Sequence, residues 1–100
     1  MSIKITKENF NDLINEEKLT LVDFYADWCG PCKALGPVIE EIAEENKNIN
    51  VGKVNVDNER DLAVQFGVRS IPTMIIFKNG KEVNRLVGFL PKEQILEKLN

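Results

Sequence analysis

The chain has 100 residues, of which 43% are hydrophobic and 29% are charged, a composition typical of one folded domain and unlike that of a disordered chain. Its 13 basic and 16 acidic residues give a net charge of −3, and no basic cluster is present to follow a phosphate backbone, which argues against a nucleic-acid partner. At this length we expect a single domain over residues 1–100. Because the N-terminus lacks the pattern of an export signal and no segment approaches the length of an apolar membrane span, we expect this domain in the cytoplasm, without a membrane partner.

The first part of the chain alternates strand and helix patterns. The stretch "SIKI", residues 2–5, predicts a short strand, and residues 6–18 carry apolar side chains at helical spacing behind Thr6, a predicted N-cap. The run "LTLVDFYA", residues 19–26, is almost continuously apolar and rich in β-forming residues, which predicts a central strand covered on both faces. A helix is then expected from Pro31, which suits a first helical turn.

The middle of the chain continues this alternation. The helix contains Pro37, at which a kink is expected. The stretch "NVGKVNV", residues 50–56, predicts the next strand. A short helix should follow, with Asp57 as its cap, and it should run through Phe66 and stop at Gly67.

The last third has a different pattern. Residues 73–88, "TMIIFKNGKEVNRLVG", form two strand-like runs joined by Asn79-Gly80, which predicts an antiparallel hairpin. Pro91 should open a final helix with three apolar residues on one face, Ile95, Leu96 and Leu99. The predicted order β-α-β-α-β-α-β-β-α describes an α/β fold in which helices cover both faces of a central mixed sheet.

Both cysteines and the only tryptophan lie in "DFYADWCGPCK", residues 23–33. Cys29 falls in the turn after the predicted central strand and Cys32 in the first turn of the next helix, where open α/β sheets bind their ligands. This spacing brings the two Cβ atoms to roughly 5 to 6 Å, close to disulfide geometry. The helix N-terminus should lower the pKa of the Cys29 thiol, while the helix and Trp28 should shield Cys32, which predicts an exposed attacking thiol and a buried resolving thiol.

Such a pair suits thiol–disulfide exchange, with Pro31 limiting the freedom of the loop and Gly30 leaving space beside the sulfurs. A zinc site is one alternative, but it needs about four ligands and the chain has no histidine and no further cysteine. A purely structural disulfide is another, although it would close a very short loop in a compartment that keeps thiols reduced. We therefore expect neither a metal nor another bound cofactor.

The motif "WCGPCK" after "LVDFYAD" resembles the active-site region of the thioredoxin family. The resemblance extends over the chain through "KVNVD", "VRSIPTMIIFKNGK" and a late "VGF", and the predicted element order matches the thioredoxin fold. The chain departs from the family pattern at Tyr25, where many thioredoxins have a second tryptophan. The resemblance implies a monomeric protein-disulfide reductase that carries electrons to disulfide-containing protein substrates and is regenerated by a thioredoxin reductase.

Two charged residues gain a role from this resemblance. Asp23 lies in an apolar run, where it is either buried, which would favour its neutral form, or solvated at a twisted edge, and the spacing leaves both interpretations open. Lys53 is by itself an ordinary strand lysine. The resemblance implies that Asp23 is a buried acid that moves a proton to or from Cys32, and that Lys53 is its partner.

The stretch "SIPT" places Pro72 just before the hairpin, where a turn proline is the simple interpretation. The resemblance implies instead that the Ile71–Pro72 bond is cis and faces the cysteines, and that the backbone of Ile71 pairs with an extended substrate by strand addition. Trp28, Ile71, Pro72 and Gly88 would then form an apolar docking rim around Cys29, although Gly88 also fits a residue that only ends a strand.

Two other functions of the protein stay open. One is a binding module in which the cysteines are incidental, and the other is an oxidase or isomerase.

Overall fold

A five-stranded mixed sheet forms the centre of the computed structural model, which describes residues 1–100. Its strands are β1 (Ile3–Lys4), β2 (Thr20–Tyr25), β3 (Asn50–Asn55), β4 (Thr73–Lys78) and β5 (Lys81–Val87), and they lie in the order β1-β3-β2-β4-β5. Strand β3 pairs in parallel with β1 and β2, whereas β4 pairs antiparallel with β2 and β5. The predicted element order and the central place of β2 are confirmed.

Four helices cover the two faces of this sheet: α1 (Phe10–Ile14), α2 (Gly30–Glu45), α3 (Arg60–Gln65) and α4 (Lys92–Lys98). Side chains alternate along β2, so that Leu21 packs with residues of α2 and α4 while Val22 and Phe24 pack with residues of α1 and α3. Asp23 therefore points to the same face as Leu21, towards α2. None of the helices is long and apolar enough to cross a membrane.

Helix α1 is shorter than the predicted segment 6–18. The Thr6 hydroxyl accepts the backbone N–H of Glu8 at 3.3 Å, but residues 7–9 form turns and regular helix begins only at Phe10. At the other end, the carbonyl oxygens of Ile14 and Glu16 accept N–H groups from the hairpin turn at 2.8 and 3.1 Å. These carbonyls are thus satisfied without a continuing helix, which explains the early end of α1.

The prediction that Asp57 caps α3 is wrong. Glu59 occupies the N-cap position, and no side chain caps the helix. The Asp57 carboxylate instead accepts the indole N–H of Trp28 at 2.9 Å. The predicted end of the helix is confirmed, because Phe66 is its C-cap and Gly67 follows with φ +63°, a left-handed conformation that favours glycine.

The hairpin and the last helix follow the prediction. Asn79 and Gly80 join β4 to β5 with φ values of +53° and +82°, as a two-residue turn between twisted strands requires. Pro91 is the N-cap of α4, and Ile95 on that helix is fully buried. Helix α2 continues through Pro37, and a kink at this residue stays a prediction.

Candidate active site

The two cysteines form a disulfide at the start of α2. Cys29 is the N-cap residue of the helix, in extended conformation, and its Cα lies 5.2 Å from that of Cys32. The Sγ atom of Cys29 accepts the backbone N–H of Cys32 at 3.2 Å. Pro31, in the first turn, has no N–H to leave unsatisfied there. The attacking sulfur predicted from the sequence thus sits where unpaired N–H groups and the helix dipole stabilise negative charge.

The predicted contrast in exposure between the two cysteines is wrong for this disulfide form. Cys29 is 5% exposed and Cys32 is 4% exposed. Both pack with Ala26, against partly buried Ile71, and the sulfur of Cys29 lies 3.8 Å from the carbonyl oxygen of Ile71. Trp28 is itself 70% exposed, and its indole N–H donates to Asp57. The asymmetry of the pair therefore lies in the helix cap and not in exposure.

Asp23 is a buried acid without a hydrogen-bond partner. Its side chain is fully buried in the central strand, so the solvated interpretation is wrong, and both carboxyl oxygens lack a partner. Burial raises the pKa of Asp23 to about 7; the positive charge of Lys53 opposes this rise and the negative charge of Glu40 adds to it. The structure therefore holds a carboxyl group that changes its protonation state near neutral pH.

Lys53 lies directly opposite Asp23 in the parallel pairing of β2 and β3. Its ammonium group is 4.5 Å from the ring centroid of Tyr25, a cation–π contact, and it donates no hydrogen bond to the Asp23 carboxyl. Lys53 and Tyr25 line an open cleft of about 400 Å³, to which Cys32 also contributes. The cleft therefore brings the inner cysteine and the lysine to one place beside the strand that carries Asp23.

Two residues of this region were missed by sequence reasoning. Glu40 of α2 acts on Asp23 by charge, and its own pKa is lowered mainly by the hydrogen bond from the Ser2 hydroxyl. Tyr25 was noted only as a departure from the family pattern, although its ring contacts the Lys53 ammonium. The period-two alternation of β2, which puts residues 23 and 25 on one face, was the available signal for Tyr25.

The segment before β4 lies against the cysteines. The Ile71–Pro72 bond is cis, as the resemblance implied, and the backbone N–H and C=O of Ile71 make no backbone hydrogen bond within the chain. The Pro72 carbonyl accepts the N–H of Gly88 at 2.7 Å, and Gly88 has φ +90° immediately after β5. The fold thus places Ile71 against Cys29 and joins Gly88 to the neighbouring Pro72.

The zinc alternative lacks ligands in the folded chain, because no group of three or more His, Cys, Asp or Glu side chains is placed to hold a metal ion.

Comparison with known proteins identifies the family. The thioredoxin family model matches residues 1–100. The chain belongs to the thioredoxin family. It is 53% identical over 98 residues to "Thioredoxin 2" of Chlorobaculum tepidum, which covers 95% of this chain and 89% of the relative. It is 48% identical to a thioredoxin of Chlamydia caviae, over 96% of this chain and 93% of the relative.

Solved structures agree with this assignment. A thioredoxin mutant from Halobacterium salinarum superimposes with a TM-score of 0.92 at 34% identity and covers 98% of this chain and 87% of its own. A thioredoxin of Malassezia sympodialis gives a TM-score of 0.91 at 31% identity, over 99% and 88% of the two chains. The predicted thioredoxin fold is confirmed. With its Cys29–Cys32 pair, this family member is a protein-disulfide reductase that works by dithiol–disulfide exchange, acting on protein disulfides and regenerated by a reductase.

Proposed function

We propose that Cys29 is the attacking thiol and Cys32 the resolving thiol of this exchange. The observation that carries the proposal is the position of the Cys29 sulfur, which caps α2 and accepts the Cys32 N–H at 3.2 Å. After reduction, the same N–H and the helix dipole stabilise a thiolate at Cys29. Cys32 lies within the helix and lacks this terminal position.

The exchange then has two steps. The Cys29 thiolate attacks one sulfur of a substrate disulfide; an S–S bond forms to that sulfur, and the other substrate sulfur leaves as a thiolate that takes up a proton. Cys32 then loses its proton and attacks the Cys29 sulfur, which closes the Cys29–Cys32 bond and breaks the mixed disulfide. The second substrate sulfur leaves as a thiolate that also takes up a proton. An electron pair has passed from the protein dithiol to the substrate, which leaves as a dithiol.

Asp23 is proposed as the acceptor of the Cys32 proton. A carboxyl group with a pKa of about 7 both accepts and releases a proton near neutral pH. Asp23 points towards the face of the sheet covered by α2, the helix that carries Cys32. Lys53 supports this role by limiting the rise of the Asp23 pKa that burial causes.

The substrate chain is proposed to bind along Ile71. Its backbone donor and acceptor make no backbone hydrogen bond within the chain, so an extended peptide can pair with them while one of its sulfurs approaches Cys29. Trp28, Pro72 and Gly88 form the apolar rim of this docking surface. Pro31 limits the freedom of the cysteine loop, and Gly30 leaves space beside the sulfurs. Main-chain pairing tolerates many side chains and suits varied protein substrates.

We further propose that residues 1–100 act as a single domain, as a monomer in the cytoplasm, with a thioredoxin reductase as the electron donor. The match of the family model to residues 1–100 supports the single domain. The thioredoxin names of the relatives support the choice of reductase.

A trapping experiment tests the assignment of the cysteines. Cys32→Ser should accumulate mixed disulfides with protein substrates, because the attacking thiol remains and the resolving thiol is gone. Cys29→Ser should trap few under the same conditions. The double variant, Cys29→Ser with Cys32→Ser, is the control for non-covalent capture. Equal trapping by the two single variants would contradict the assignment.

A further inference from the structure

The ammonium group of Lys53 is held away from the acid that it faces. Asp23 and Lys53 are partners in the pairing of β2 with β3, yet both oxygens of the buried Asp23 carboxyl lack a hydrogen bond. The ammonium instead lies 4.5 Å from the centre of the Tyr25 ring. A lysine beside an unpartnered buried carboxyl is expected to bond to it, so another contact must compete for this cation.

Tyr25 is placed to be that competitor. It lies two residues after Asp23 on β2, so the two side chains share one face of the strand, and both neighbour the lysine on β3. The negative face of an aromatic ring attracts an ammonium group, and more strongly where water is partly excluded. Helix α2 passes beside the cation at Gly36, where a Cβ atom would make an ordinary contact of 4.0 Å with the Lys53 nitrogen.

The other charged groups near Asp23 form no ion pair with Lys53, although the negative charge of Glu40 also acts on it at a distance. Helix α2 contributes Glu40, whose carboxylate is already bonded to the Ser2 hydroxyl and to the Ser2 N–H at 2.9 Å. The cleft adds Asp27, which forms no ion pair with Lys53, and Lys33, which carries the same charge as Lys53 and cannot pair with it. Strand β4 places the uncharged Met74 opposite Asp23.

We propose that Tyr25 is a positioning residue of the exchange site, whose ring holds the Lys53 ammonium beside the Asp23 carboxyl without letting the two form an ion pair. The lysine then acts on the acid only at a distance, and the acid keeps a high affinity for its proton. Without the ring, the ammonium moves to the carboxyl and favours its ionised form. The consequence for catalysis rests on the proposed proton transfer from Cys32 to Asp23, but the arrangement itself does not.

The direct test is to titrate Asp23 in the oxidised protein, where the cysteines do not titrate, by the NMR shift of its carboxyl carbon. Wild type should titrate with a pKa of about 7. Tyr25→Leu should lower the Asp23 pKa by about one pH unit, the effect of a close opposite charge. Tyr25→Phe keeps the aromatic face and should leave the pKa unchanged.

Loss of the Tyr25 ring also admits water to the cleft, which by itself would lower the Asp23 pKa. A background without Lys53 separates this effect of water from the effect of the ammonium group. In Lys53→Met, Tyr25→Leu should no longer change the Asp23 pKa, because no ammonium remains to be released. An equal decrease in this background would mean that the ring acts by excluding water, and no decrease with Lys53 present would mean that it does not hold the cation. Either result overturns the proposal.

A second variant covers the case in which Tyr25→Leu does not fold. A fluorinated phenylalanine placed only at position 25 keeps the shape of the ring and removes its negative face, so it should also lower the Asp23 pKa relative to Tyr25→Phe. An unchanged pKa would contradict the proposal. Resolution of the mixed disulfide, measured with Asp23→Asn, tests the proton role separately, and a failure there would leave the effect of Tyr25 on Asp23 intact.

Discussion

Replacing Asp23 with asparagine should remove most of the pH dependence that this buried acid gives to stability. The folded-state pKa of Asp23 is about 7, against an ordinary value of 3.8. The native state therefore binds the proton more tightly than the unfolded chain. The protonated acid contributes stability that is fully present below about pH 4 and is lost as the pH rises through 7.

The size of the effect follows from the difference between the two pKa values. A difference of about 3 pH units, at about 1.4 kcal/mol per unit, corresponds to about 4 kcal/mol. A domain of this size is stable by roughly 5 to 15 kcal/mol, so the loss should be easy to measure. Asp23→Asn has no such titration, and its free energy of unfolding should exceed that of wild type increasingly between about pH 4 and pH 7.

Urea unfolding of the oxidised proteins at several pH values checks this prediction. The gap between the two midpoints should widen by about 1 M urea or more over this range, for a slope of roughly 1 to 3 kcal/mol per molar. Asp27→Asn is a matched control, since it removes an exposed carboxyl next to the same strand. The difference between its midpoint and that of wild type should not widen over this pH range. Parallel curves for wild type and Asp23→Asn would refute the reasoning that Asp23 is buried with a raised pKa.

Two smaller predictions concern other residues. Glu40→Gln should lower the pKa of Asp23, because the negative charge of Glu40 adds to its rise; carboxyl titration checks this, and an unchanged or higher pKa would contradict it. Gly67→Ala should lower the free energy of unfolding by about 1 kcal/mol, because Gly67 has φ +63° although nothing crowds its Cβ position. Gly30→Ala is the control, because its Cβ also meets open space but the residue lies in a helix. Equal urea midpoints for Gly67→Ala and Gly30→Ala would argue against a backbone cost at Gly67.

The features that the sequence predicted well are those that depend on local chemistry. The continuous apolar run that contains Leu21 and Phe24 requires cover on both faces of the sheet. The side chains of Leu21 and Phe24 are both fully buried in the central strand. Gly67 and the Asn79-Gly80 pair take the positive φ values for which their residue types are suited. The cysteine spacing likewise depends on one helical turn. No distant part of the chain is needed to decide any of these.

The predicted helix boundaries that were wrong depend on hydrogen-bond partners far along the chain. The end of α1 is decided by the N–H groups of Asn79 and Gly80, which bond to the carbonyls of Glu16 and Ile14. The Asp57 carboxylate, which was expected to cap α3, instead accepts the indole N–H of Trp28. In each case a tertiary hydrogen bond replaces the local one that the sequence pattern favours, and no periodicity reveals such a partner.

Asp23 shows why the chemistry of the site needs the folded chain. Its apolar neighbours allowed either a buried or a solvated acid, and the choice follows from β2 lying between β3 and β4 with α2 packed over it. Its pKa near 7 is then a balance in which burial raises the value, Lys53 lowers it and Glu40 raises it again. These charges come from β3 and α2, and the lysine acts from the position that Tyr25 gives it. An ion pair with Lys53 would bring the acid back towards its ordinary pKa and leave it ionised, unable to exchange a proton at neutral pH.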